Sequence, residues 1–181
     1  MATSPRLVAI LGAESSGKTT LAQALARHFD CPWVPEYLRA FTQLQGRTPQ
    51  RQEQHSILQT QVANEDAALE RARQNGSAWV FCDTAPLLTA VYSELVFGDR
   101  SLYAMAASLQ QRYAQTLLLN NDVPWQADGL QRDGAHVRGP VLALLQQHLT
   151  AFHAPFALIA GQGPQRMAHA LAILCPESQT G

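Results

Sequence analysis

Residues 6–11, Arg-Leu-Val-Ala-Ile-Leu, form a short apolar run that stops at Gly12, continues as Ala-Glu-Ser-Ser-Gly17-Lys18-Thr19, and passes into the helical spacing of Leu21 and Leu25. An uninterrupted apolar run of this length reads as a strand buried on both faces. From Gly12 to Thr19 the chain matches G-x-x-x-x-G-K-[ST]. Its two glycines let the backbone curl so that successive N–H groups point inward, and the following helix offers its positive end to the same place. Gly12, Glu14, Ser15, Ser16, Gly17, Lys18, Thr19 and Thr20 are therefore the candidate nucleotide-binding residues. Lys18 is the one lysine of the chain, every other basic side chain being arginine, and a compact ammonium here reaches β- and γ-phosphates. Thr19 offers its hydroxyl to Mg²⁺.

With 181 residues, 46% hydrophobic and 15% charged, the chain can bury the core of one α/β domain and is short for two. A single domain over 1–181 is expected, with its core at about 6–174 and a short polar tail from Glu177 to Gly181. A formal net charge of -1 without a basic cluster supplies no general pull toward nucleic acid or an anionic membrane, so neither is expected as a partner. Cys31, Cys82 and Cys175 are far apart and lack C-x-x-C spacing, which argues against a disulfide framework or a zinc site. They read as buried thiols of a reducing cytoplasm. No targeting segment opens the chain and no apolar run approaches the ~20 residues of a membrane span, so a soluble, cytoplasmic protein is expected.

Beyond the first strand and helix, residues 31–35 form an extended piece bounded by prolines. Helices are predicted over 36–44, 49–75, 86–96, 101–112, 138–152 and 164–174, and strands over 78–82, 116–119 and 156–160. The long helix at 49–75 is expected to bury one stripe through Ile57, Leu58, Val62 and Leu69. Strands alternating with helices imply a doubly wound, mostly parallel sheet covered on both faces.

In such a sheet ligands bind at the carboxyl ends of the strands. Asp83 and Thr84 follow the buried run Trp79-Val-Phe-Cys82, where a carboxylate holds Mg²⁺ or accepts the proton of an attacking hydroxyl, and where it can also cap the next helix. Glu36 is an alternative base or a clamp on substrate hydroxyls. Arg39, one turn later, pairs with it as a surface couple or faces a phosphate. The polar segment 120–138 carries Arg132 and Arg138 and has the composition of a lid that closes over triphosphate and neutralises charge on the transferred group. Trp125 within it either stacks on a ring or anchors the loop to the core.

Gly12-Ala-Glu-Ser-Ser-Gly-Lys-Thr19, Glu36-Tyr37-x-Arg39, Phe81-Cys-Asp83-Thr84, and Asn120-Asn121 with Pro124-Trp125-x-x-Asp128-Gly-Leu follow one another in this order. This set resembles the ribosylnicotinamide kinase domain of NadR-type proteins, over about residues 7–152. The resemblance implies a P-loop NTPase of kinase type with a five-stranded parallel sheet and a lid. It implies use of ATP and Mg²⁺ to phosphorylate the 5′-hydroxyl of a small nucleoside, nicotinamide riboside, giving nicotinamide mononucleotide. Carried over by position, Lys18, Thr19 and the loop backbone hold ATP, with Arg132 and Arg138 closing on it. Thr19 and Asp83 serve Mg²⁺, Asp83 alternatively taking the hydroxyl proton. Glu36, Tyr37 and Arg39 face the nucleoside, and Asn121, Trp125 and Asp128 line or close the site.

The chain departs from that family's pattern at Pro35, where an aromatic residue is usual, and at Gln131, which displaces the lid arginine to Arg132. It carries no H-x-G-H adenylyltransferase motif, so the resemblance implies a stand-alone kinase whose product another protein adenylylates. A GTPase switch needs an Asn-Lys-x-Asp guanine reader, which a chain with a single lysine already in the phosphate loop cannot supply. A regulatory ATPase acting on a protein partner stays open, compatible with Glu14 and with the Gln-rich helix at 49–75, as does a kinase of another nucleoside or small metabolite.

Overall fold

The computed structural model describes residues 4–126 and 134–176. Five strands, β1 (Arg6–Leu11), β2 (Trp33–Val34), β3 (Trp79–Asp83), β4 (Tyr113–Leu119) and β5 (Phe156–Ile159), form one sheet in the order β2-β3-β1-β4-β5. Every pairing in it is parallel. The helices are α1 (Lys18–His28), α2 (Tyr37–Gln45), α3 (Gln54–Asn75), α4 (Pro86–Phe97), α5 (Tyr103–Gln110), α6 (Arg138–Ala151) and α7 (Pro164–Leu174), with 3-10 turns at Arg51–Glu53 and Ala135–Val137.

The two-residue period of the strands sorts their side chains between two cores. Leu7, Ala9 and Leu11 of β1, Val80 and Cys82 of β3, and Leu118 of β4 face the layer of α3, α4, α5 and α6. Val8, Ile10, Trp79, Phe81, Leu117 and Leu119 face the layer of α1 and α7. Strands buried on both sides have no polar face, which is why β1 and β3 read as unbroken apolar runs.

The structure redraws the predicted stripe of the long helix. Its buried positions include Ile57, Leu58, Ala68 and Ala72, with Gln61 and Glu65 in the middle, while Val62 and Leu69 pack only at the margin. Both polar residues have partners. Gln61 Oε1 accepts the Tyr37 N–H at 2.9 Å, joining α3 to the start of α2. Glu65, 0% exposed, accepts Tyr113 Oη on both carboxylate oxygens, at 2.9 and 2.8 Å, and lies 4.0 Å from the Arg112 guanidinium. A second difference is at β4, which begins at Tyr113, paired with Leu7 of β1, and takes residues 113–115, expected to lie between helix and strand. The helix predicted over 101–112 correspondingly shortens to α5. Of the cysteines only Cys82 is buried; Cys31 is half-buried and Cys175 exposed. Among the described residues, no helix is long and apolar enough to cross a membrane.

Burial pushes the Glu65 carboxyl up to about 7, against the opposing hydrogen bonds from Tyr113 and the nearby Arg112 charge. A folded pKa raised above the ordinary 4.5 gives stability that is complete below that value and is lost as the pH rises through about 7. Glu65→Gln keeps an acceptor for Tyr113 and cannot ionise. Between pH 5 and pH 8 the variant is expected to gain on the wild type by an amount on the order of 3 kcal/mol. Denaturant unfolding at a series of pH values measures this; parallel pH profiles for the two proteins would refute it.

Candidate active site

The loop after β1 is fixed by close packing beneath it. A Cβ on Gly12, φ +154, would lie 2.7 Å from Ser16 Oγ and 3.1 Å from Leu119 Cβ, so the chain can turn here only without a side chain. Gly17 caps α1 in the left-handed region at φ 86. No side chain caps that helix and no acidic residue lies in its first turn, so its positive end is not neutralised locally. Lys18 Nζ donates to the Ala13 carbonyl at 2.9 Å, folding its ammonium back over the loop. Ser15 Oγ accepts the Gln126 N–H at 2.9 Å, Ser16 is buried, and Thr20 is exposed on α1.

Register carries Asp83 to this loop. Ile10 of β1 pairs with Asp83 of β3, two residues before Gly12. Thr84 follows in the left-handed region at φ 76, a costly conformation for a β-branched residue and one found where a functional side chain must be aimed. Asp83 is 2% exposed, and its Oδ2 accepts the Thr19 hydroxyl at 2.5 Å. Burial raises the Asp83 pKa, while Lys18, the Thr19 hydrogen bond and Arg39 oppose the shift. Oδ1 of the same carboxylate is buried without a hydrogen-bond partner. A buried carboxylate oxygen beside a threonine hydroxyl is a hard oxygen donor set, so these residues fit Mg²⁺.

A cleft of about 200 Å³ opens from the loop. Glu14, Ser15 and Lys18 line its end at the loop, Glu36, Arg39 and Gln54 add polar lining, and Leu38, Leu88, Tyr92, Val96 and Phe97 form an apolar wall. Glu36 precedes α2, which it flanks without capping it through its side chain. The structure thus brings together the loop, Glu36 and Arg39, with Asp83 immediately beside them.

Other predicted residues have different neighbours. Tyr37 does not line the cleft; its N–H is held by Gln61. Asn121 Nδ2 donates to the Arg138 carbonyl at 2.8 Å, and the buried Arg138 donates through Nη1 to the Val123 carbonyl at 2.9 Å. Asn121 and Arg138 therefore tie the loop after β4 to the start of α6, and neither lines the cleft. Trp125 is half-buried, also away from the cleft lining. Asp128 and Arg132 lie outside the described residues.

Sequence reasoning missed the α4 wall and Arg166. Leu88, Tyr92 and Val96 recur every fourth residue, a one-sided stripe, but α4 is so apolar that periodicity does not say which side faces a cleft. Arg166 begins near the turn after β5, yet reaches the phosphate loop through a hydrogen bond to the Ser16 carbonyl.

This strand order, with a phosphate-binding loop after its central strand and an acidic residue closing the neighbouring one, is that of the P-loop kinase fold. A family model described as an AAA domain matches residues 7–166, and the chain belongs to that family. Over 134 residues it is 32% identical to the trifunctional NAD biosynthesis/regulator protein NadR of Salmonella typhimurium, a match covering 73% of this chain and 32% of that protein. The chain thus corresponds to about a third of that relative's length. The crystal structure of NadR protein in complex with NAD and AMP-PNP matches with a TM-score of 0.78 at 17% identity, covering 98% of this chain and 51% of that one. NadR protein in complex with NR gives 0.73 at 19% identity, covering 98% and 53%.

Gly12→Ala places a methyl group against Ser16 and the Leu119 backbone, and the loop must shift to admit it. The variant is expected to lose roughly 1–3 kcal/mol of stability and most of its affinity for ATP. Thermal unfolding and binding of a fluorescent ATP analogue read both effects; wild-type values in both would show that the loop has room.

Proposed function

We propose that this chain is an ATP- and Mg²⁺-dependent small-molecule kinase whose acceptor is the 5′-hydroxyl of nicotinamide riboside. The observation that carries the reading is the cleft itself, which runs from Lys18 to Glu36 and Arg39 and ends on an apolar wall. It offers a phosphate end, a polar middle suited to ribose and an apolar end suited to a planar base. The similarity to NadR and the complex of that protein with NR support the choice of acceptor.

In this reading the loop backbone and Lys18 hold the triphosphate, and Thr19 with Asp83 would hold Mg²⁺. Bound Mg²⁺ neutralises phosphate charge and draws electron density from the transferred group. Glu36, on the acceptor side of the cleft, orients the 5′-hydroxyl and takes its proton. The acceptor oxygen forms a bond to the γ-phosphorus while the bond to the bridging oxygen breaks, ADP leaves, and the proton remains on Glu36 until solvent removes it. Arg39 faces the phosphoryl group in flight, where its charge offsets the developing negative charge. Leu88, Tyr92 and Phe97 exclude water from the base.

The test is ATP-dependent phosphorylation of a nucleoside panel, read by product mass. Nicotinamide mononucleotide is expected from the wild type and its loss from Lys18→Ala. Glu36→Gln is expected to lower kcat by about 10²- to 10⁴-fold with ATP affinity unchanged, the range for loss of a general base. Asp83→Asn is expected instead to raise the Mg²⁺ concentration needed for half-maximal rate. Transfer to no nucleoside, with turnover of ATP stimulated by a protein, would move the chain to a regulatory ATPase.

A further inference from the structure

Arg166 lies in the first turn of α7 and is 5% exposed. Its Nη1 donates to the Ser16 carbonyl. Its Nη2 donates to the Asn120 carbonyl at 3.2 Å and to Asp122 Oδ1 at 2.5 Å. Asp122 in turn accepts the Gly161 N–H on Oδ2 at 2.7 Å, and its carbonyl accepts Gln162 Nε2 at 2.7 Å. One guanidinium thus joins three segments: the phosphate loop, the loop after β4 and the loop after β5. A Cβ on Gly17 would come within 3.2 Å of Nη1, so the glycine of the loop leaves room for the arginine to approach.

Pairing with Asp122 makes it possible to bury the charge. Charge pairing alone does not account for the donor directed at the Ser16 carbonyl. A trans peptide is planar, with its C=O and N–H pointing in opposite directions. Because the Ser16 carbonyl is turned toward α7, the Gly17 N–H is turned away from it. If that peptide flipped, an oxygen would stand where the loop offers a donor, and it would repel a phosphate.

We propose that Arg166 is a positioning residue that locks the Ser16–Gly17 peptide in its donor orientation, with Asp122 fixing the guanidinium. The proposal rests on the ATP-dependent reading above. It locates the effect on the nucleotide: the arginine acts through the loop, and the acceptor end of the cleft, lined by Leu38 and Arg39 of α2 and by Leu88, Tyr92 and Val96 of α4, does not depend on it.

The experiment measures equilibrium binding of a fluorescent ATP analogue to the wild type and to Arg166→Ala, Arg166→Lys, Asp122→Asn and Leu174→Ala, together with thermal unfolding and the KM for ATP and for the acceptor. Arg166→Ala is expected to weaken ATP binding about 10- to 100-fold, the range for losing hydrogen bonds made by a charged group. Its acceptor KM is expected to stay within about twofold, since the cleft is left intact. Arg166→Lys keeps the charge without the fork and should fall between wild type and alanine; it also carries the test if the alanine variant does not fold. Asp122→Asn should weaken ATP binding in the same direction. Leu174→Ala, a buried apolar truncation in the same helix, should lower the unfolding temperature and leave ATP affinity unchanged. Unchanged ATP affinity in folded Arg166 variants, or an equal loss in Leu174→Ala at matched stability, overturns the positioning role. Failure of the wild type to bind ATP would instead remove the kinase reading on which it rests.

Discussion

All five strands run the same way, and this constraint governs where chemistry can occur. A parallel pair cannot be joined by a hairpin, so each strand must be followed by a crossover that covers a face and returns to the starting edge. Every strand therefore delivers its last residue to one edge: Leu11 to the phosphate loop, Val34 to Glu36, Asp83 to Thr19, Leu119 to Asn120, and Ile159 to the turn at Gly161. With β3 and β4 on either side of β1, the loop has an acidic neighbour on one side and the segment carrying Asp122 on the other. The cleft is a product of strand direction as much as of the residues that line it.

That edge was legible in the sequence wherever function is written in adjacent residues. The phosphate loop, the apolar run ending on Asp83, and Glu36 after the short extended piece are each local signals, and the structure gathers them. Partnerships spanning a large separation along the chain left no such trace. Arg166 meets Ser16 only because α7 packs beside α1, and Glu65 meets Tyr113 only because α3 packs on β1 and β3, next to the first residue of β4. A helical wheel shows Glu65 as polar and so assigns it to solvent, whereas the fold supplies a tyrosine hydroxyl and an arginine that make its burial tolerable. Arg138 is a second case of the same kind: expected to close on triphosphate from a polar segment, it is buried and donates to the Val123 carbonyl as a brace under the loop.

Three buried ionisable groups, Glu65, Asp83 and Arg166, are kept apart in this core, and the fold separates their duties. Asp83 sits where Lys18, Arg39 and the Thr19 hydroxyl oppose the effect of burial on its charge. Glu65, on the opposite layer and at the amino end of β4, tolerates burial by holding its proton to near neutrality. Arg166, on α7, meets its acidic partner Asp122 in the loop after β4. Each charge is answered within its own neighbourhood, so a change in one site need not propagate to the others through the sheet.

The solitary lysine has a further consequence. Arginine keeps its charge and resists the acylating chemistry that lysine undergoes, so within this chain the side-chain amine of the phosphate loop is the sole target for acetylation or any other lysine-directed modification. Lysine is among the commonest residues of soluble proteins, so such targets are ordinarily many and spread over the surface. Here an acyl group on the only side-chain amine would remove the ammonium that folds over Ala13, so lysine acylation of this chain and loss of that charge from the phosphate loop would be one event.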